Sequence, residues 1–254
     1  MQEMNDILTF SLIIMRMSGC ILFNPILGRR NIPGVVKTAI IFVLSIILIT
    51  YQTHTVVAAE TVIEYAVLLL KEFFCGFVIG TVVNLFLNII IFGGEIIDFQ
   101  MGLSMSKIYD MQSNTSLALS ATFFNALFVL LFFATDGHLV MLQLFLKSGE
   151  IIPYGSMAIT QSLSTAILDI FCDCMVLAVK LALPIMVVEI LAEVGVGILM
   201  KTIPQINVFI VNIQAKVLLG IIFLVLLFTP MSEFLEGCIR LMFEALQHVM
   251  VLMK

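Results

Sequence analysis

The chain reads as all-α, a polytopic membrane protein built of helical hairpins. Three observations predict this. Hydrophobic residues make up 61% of its 254 residues and charged residues only 11%, against about 25% charged in an ordinary soluble chain. Three stretches, 38–59, 73–94 and 111–135, hold no Asp, Glu, Lys or Arg, and each has the ~20 residues that a helix needs to cross a bilayer. Residues 161–201 are also strongly apolar, yet they carry Asp169, Asp173, Lys180, Glu189 and Glu193. An ionisable group at the bilayer centre costs about 2.5–3.5 kcal/mol on insertion scales. Those five side chains must face protein, water or one another.

The first helix runs over about 7–27, is interrupted by Arg16 and frays at Asn24-Pro25. The loop Gly28-Arg29-Arg30-Asn31-Ile32-Pro33-Gly34, with Lys37 just beyond, holds the densest positive charge. Cytoplasmic loops collect Lys and Arg, which places this loop inside and the acidic N-terminus outside. A second helix covers about 35–51. A third segment, from about Val56, carries Glu60, Glu64, Lys71 and Glu72 before the charge-free 73–94; its polar first half fits an extramembrane helix leading into a spanning one. Gly76 and Gly80 form a G-x-x-x-G, a spacing that lets two helix backbones approach closely.

Residues 95–115, EIIDFQMGLSMSKIYDMQSNT, show no clear helical period. A solvent loop is one reading, but the Met, Ile, Leu and Phe content is high for that. Irregular backbone at membrane depth is tolerated only inside protein or beside a water-filled cavity, and Met packs irregular gaps well. A buried or pore-lining loop is the other reading. A Phe- and Leu-rich helix follows over 116–134, then a turn at Asp136-Gly137-His138, a short helix over 139–148 and a loop over 150–156.

At about 100° per residue, Asp173 lies about 40° from Asp169 and Lys180 about 20° from it. The three share one stripe. Pro184 then breaks or kinks the helix, and Glu189 and Glu193 follow at i,i+4, where two carboxylates repel slightly. Lys216 is a candidate partner for one of these acids. The charged set reads either as a proton relay, the use transporters make of intramembrane acids, or as contacts between helices or subunits. Lys201 to Lys216, through Pro204, Gln205, Asn207, Asn212 and Gln214, reads as a tight turn between helices. A last helix over 217–229 stops at Thr229-Pro230. The tail 231–254 is amphipathic, with Glu233, Glu236, Arg240 and Glu244 on its polar face.

Several functions find no support. Net charge is −5, with no basic run that would suit nucleic acid. The acidic N-terminus lacks the positive start of a signal peptide. The five cysteines, Cys20, Cys75, Cys172, Cys174 and Cys238, sit in apolar context and read as small apolar filler rather than metal ligands or disulfides. No H-E-x-x-H and no G-x-S-x-G occurs, and His54, His138 and His248 are scattered. Neither an enzyme nor a cofactor is expected. A stand-alone ion-coupled transporter would use Asp169, Asp173, Lys180 and Glu189, but such proteins often carry internal repeats and none is evident.

The motifs in order resemble the FliR family, the flagellar biosynthesis protein whose injectisome counterpart is the T subunit of the type III secretion export gate. The resemblance rests on Pro204-Gln205-Ile206-Asn207-Val208-Phe209 followed by Lys216, after a helix bearing Glu189 and Glu193. It rests also on Gly102-Leu103-Ser104 with Asp110 and Ser113 placed like the family's D-P-x-S element, and on Arg30-x-Ile32-Pro33-x-x-Val36-Lys37. Met111 stands where the family usually has proline, and Asn212 and Gln214 replace its usual Gly and Pro. The resemblance implies one membrane domain over 1–254, in the bacterial inner membrane at the flagellar basal body. It implies assembly with FliP and FliQ, near FlhB and FlhA, to pass unfolded flagellar proteins. It further implies that a loop over about 102–115 plugs the closed pore, through Gly102, Leu103, Ser104, Met105, Ser106, Lys107, Ile108, Tyr109, Asp110, Met111 and Ser113.

Overall fold

A computed structural model describes residues 2–29, 31–51, 61–103, 118–202 and 208–254. Among these residues every regular element is a helix: α1 (Gln2–Leu22), α2 (Gly34–Tyr51), α3 (Val62–Gln100), α4 (Leu119–Ala134), α5 (Gly137–Ile151), α6 (Gln161–Thr202), α7 (Val208–Leu226) and α8 (Phe228–Leu252). Two are long and apolar enough to cross a membrane, α3 and α6 over Gln161–Leu199. Up to four spans result if the pairs α4 with α5 and α7 with α8 each count as one. The all-helical membrane fold expected from composition is the one observed.

The helices differ from the sequence reading in five places. The third segment, from Val62, is one unbroken helix of 39 residues, so its polar first half runs into the spanning part without a junction, and the buried Glu72 has a partner inside the protein. Residues 95–100 end that helix rather than begin an irregular stretch. Pro184 lies inside α6 and does not end it; the 42-residue helix loses one backbone bond there, and its neighbours carry it through. Asn212, Gln214 and Lys216 are helical, within α7, rather than in a turn. The last helix starts at Phe228, with Pro230 in its first turn, where a missing N–H costs nothing.

The chain forms two compact units. Unit 1 comprises 1–86, 133–171 and 239–254; unit 2 comprises 87–132 and 172–238. In unit 1, α1 packs on α2 and closely on the first part of α3. The close approach depends on glycine. A Cβ on Gly19 would lie 2.5 Å from the carbonyl oxygen of Phe73, and one on Gly80 would lie 2.8 Å from the Phe23 Cβ. Gly76 meets the Arg16 backbone without room for a side chain, so the G-x-x-x-G does bring two backbones together. Phe23 closes the contact edge-on to Phe77, with ring centroids 4.6 Å apart. At the end of α1 the Asn24 Oδ1 accepts from the N–H groups of Ile26 and Leu27, turning the chain where fraying is expected.

Unit 2 buries Ala121, Phe124, Phe128 and Phe132 along one face of α4. The spacing of three and four residues is that of a helix stripe facing a core. From α6 it buries Cys174, Ala178, Leu181 and Ile185, and from α8 Met231, Leu235 and Cys238. Cys172 is exposed, whereas Cys20, Cys75, Cys174 and Cys238 are buried, all as free thiols.

Candidate functional site

Of the residues singled out by motif, Gly102 and Leu103 lie in unit 2, where α3 ends and α4 begins. Gly93 and Gly94 bring α3 against its neighbours. A Cβ on Gly93 would lie 2.8 Å from Leu181 of α6, and one on Gly94 would overlap the backbone of Ala121 in α4. One turn further, Asp98 is almost wholly buried. Its Oδ1 accepts from the Ser120 N–H at 3.1 Å and the Ser120 hydroxyl at 2.5 Å. A carboxylate at the first turn of a helix satisfies N–H groups that have no partner within the helix and sits favourably in its dipole. Asp98 thus caps α4 from α3. Met101 is fully buried, with its side chain in the notch left by Gly220 of α7. Gly102 has φ +78° and its N–H donates to the Phe99 carbonyl at 3.1 Å, a left-handed helix cap that glycine adopts without strain.

Both roots of the segment 104–117 are therefore held by packing without room to shift, by a buried carboxylate and by a capped helix end. Beside them lies a cavity of about 490 Å³ lined by Met101, Leu103, Leu119, Phe123, Val225 and Phe228. Of the expected plug residues, Gly102 and Leu103 form this root. Ser104, Met105, Ser106, Lys107, Ile108, Tyr109, Asp110, Met111 and Ser113 lie outside the described residues. So do Pro204, Gln205 and Asn207 of the signature; Phe209 falls in the first turn of α7.

The charged set divides. Asp169, Asp173 and Lys180 are exposed on α6, and among the described residues none of them enters an ion pair. At about 100° per residue their stripe lies roughly 130° round the helix from the buried Cys174, Ala178, Leu181 and Ile185. Glu189 is fully buried, and neither of its oxygens has a hydrogen-bond partner among the described residues. Glu193, half exposed, accepts an ion pair from Lys216 of α7 at 3.2 Å. The expected pairing of Lys216 with one of the α6 acids is present.

A second polar centre escaped the sequence reading. In unit 1, Arg16 of α1 is completely buried, and its Nε donates to Glu72 Oε2 of α3 at 2.5 Å. Its Nη1 donates to the carbonyls of Ser148 and Ile152 at 3.0 and 2.9 Å, which close the end of α5. Glu72 Oε1 accepts the Gly155 N–H at 2.7 Å, and the guanidinium lies 4.1 Å over the Tyr154 ring. Burial pushes the Tyr154 hydroxyl up to about 12, against the opposing pull of Arg16. The signal was available: Arg16 and Glu72 are opposite charges facing apolar sequence, and each requires a partner.

Described residues that are helical in every regular element, with helices of spanning length, many exposed apolar side chains and a fully buried Arg16–Glu72 pair, define an integral membrane protein. Residues 7–242 match the family model described as bacterial export proteins, family 1, and the chain belongs to that family. It is 27% identical over 202 residues to the flagellar biosynthetic protein FliR of Aquifex aeolicus (strain VF5), covering 80% of this chain and 78% of that protein. It is 23% identical over 250 residues to FliR of Bacillus subtilis (strain 168), covering 96% and 95%. With FliR of Escherichia coli (strain K12) the identity is 23% over 240 residues, covering 93% and 90%.

Proposed function

We propose that this chain is the FliR-type subunit of a flagellar protein-export gate. It assembles with FliP and FliQ, near FlhB and FlhA, in the bacterial inner membrane at the flagellar basal body. It passes unfolded flagellar proteins and catalyses no reaction. The observation that carries this reading is the family match over residues 7–242. The relatives above bear flagellar names, which favours the flagellar system over the injectisome.

Two features of the structure support it. The first is the exposed stripe Asp169, Asp173 and Lys180 on a helix of spanning length. Charges facing outward at membrane depth need polar partners, and sister subunits would supply them. The second is the fixed root at Asp98, Met101 and Gly102, which suits a loop that must hold one place in a pore. Co-purification tests the assignment: P- and Q-type subunits should travel with a tagged chain through detergent extraction. A chain recovered alone, and functional alone in liposomes, would overturn it. Deleting residues 106–114 tests the plug. The deletion should make the membrane leaky to ions, and a membrane as tight as wild type would remove that role.

A further inference from the structure

Unit 2 contains more carboxylates than cations at the contact of α6 with α7. Glu189 and Glu193 lie one turn apart on α6, about 6 Å along the axis. Among the described residues, the charged groups that face Glu189 are Lys216 and Glu193. Lys216 is held by the outer carboxylate, Glu193, whose side chain is 54% exposed. The inner carboxyl, Glu189, is 0% exposed, and among the described residues neither of its oxygens has a donor. A buried polar group left without a partner is costly. An ammonium offers three donors on a flexible four-carbon stem, and its reach covers one helical turn.

We propose that Lys216 is a two-position cation, docked on Glu193 in the state seen here and withdrawn onto Glu189 in a second state. Gly220 lies one turn beyond Lys216 on α7, on the same side of the helix, and its notch seats Met101. The exchange therefore moves a positive charge along α6 within about a turn of the Met101 seat. The geometry stands whether or not the chain forms an export gate.

Acylation of Lys216 by a small membrane-permeant amine reagent, followed by mass spectrometry on the full-length chain, tests this. If Glu193 were the only dock, Glu193→Gln would free the amine and label it faster. Withdrawal onto Glu189 instead predicts labelling roughly threefold slower than wild type, the size expected for a modest ion pair. Glu189→Gln should label at the wild-type rate or slightly above it, and the double variant faster than wild type. If Glu193→Gln does not purify, Glu193→Asp weakens the outer dock while keeping its charge, and the same slowing is expected. Faster labelling of either Glu193 variant, or equal rates in the single and double glutamine variants, overturns the proposal.

Discussion

Arg16 and Glu72 show how much a single buried charge depends on its partner. Both side chains are fully buried, and their hydrogen bonds reach Ser148, Ile152 and Gly155. Removing one member leaves the other charged and unpaired, which costs about 3–5 kcal/mol. Glu72→Ala should therefore lower the thermal midpoint in detergent sharply, while Arg16→Met with Glu72→Leu should recover much of the loss. An unchanged midpoint for Glu72→Ala would mean that the pair contributes nothing. Tyr154, beside the pair, has its hydroxyl raised from 10.0 to about 12 by burial. The fold thus favours the neutral phenol. The stability this contributes is whole below about pH 10 and is lost as pH rises through about 12. Tyr154→Phe should flatten the fall in stability across that range. An identical fall in the variant would assign it to other groups.

Glycine and charge placement decide how the helices pack. An alanine methyl at Gly94 would overlap the Ala121 backbone, whereas among the described residues nothing lies within 4 Å of one at Gly195. Gly94→Ala should destabilise the chain by about 1–3 kcal/mol through overpacking, and Gly195→Ala should stabilise it by about 0.5–1 kcal/mol through helix entropy. Matching midpoints would show that α3 can back away from α4. Both glycines look alike as sequence, since only the neighbour across the contact tells them apart. On α6 the stripe of Asp169, Asp173 and Lys180 was legible from spacing alone, because helical periodicity is a property of one chain. Its use was not. Under the proposed function, Asp173→Ala should reduce recovery of the assembled complex. Intact complex with lost secretion would favour the proton-relay use of these acids.

For the whole molecule, relatedness to FliR proteins predicts exchange of function. The chain should restore motility, at least in part, to a Bacillus subtilis strain lacking its own FliR, whose length it matches over 95%. Swarm diameter on soft agar measures this. Failure despite membrane insertion and recovery of the complex would separate assembly from export competence. The helical class, the membrane setting and the family were all legible in the sequence. Charge-free runs of spanning length, stripes at helical spacing and the motifs at 102–113 and 204–216 depend on residue order alone. The partner of Arg16, the capping of α4 by Asp98, the notch of Gly220 under Met101 and the continuity of α6 through Pro184 were settled only by tertiary structure. Each joins residues far apart in the chain or depends on what packs beside a helix, and a local pattern carries no record of either.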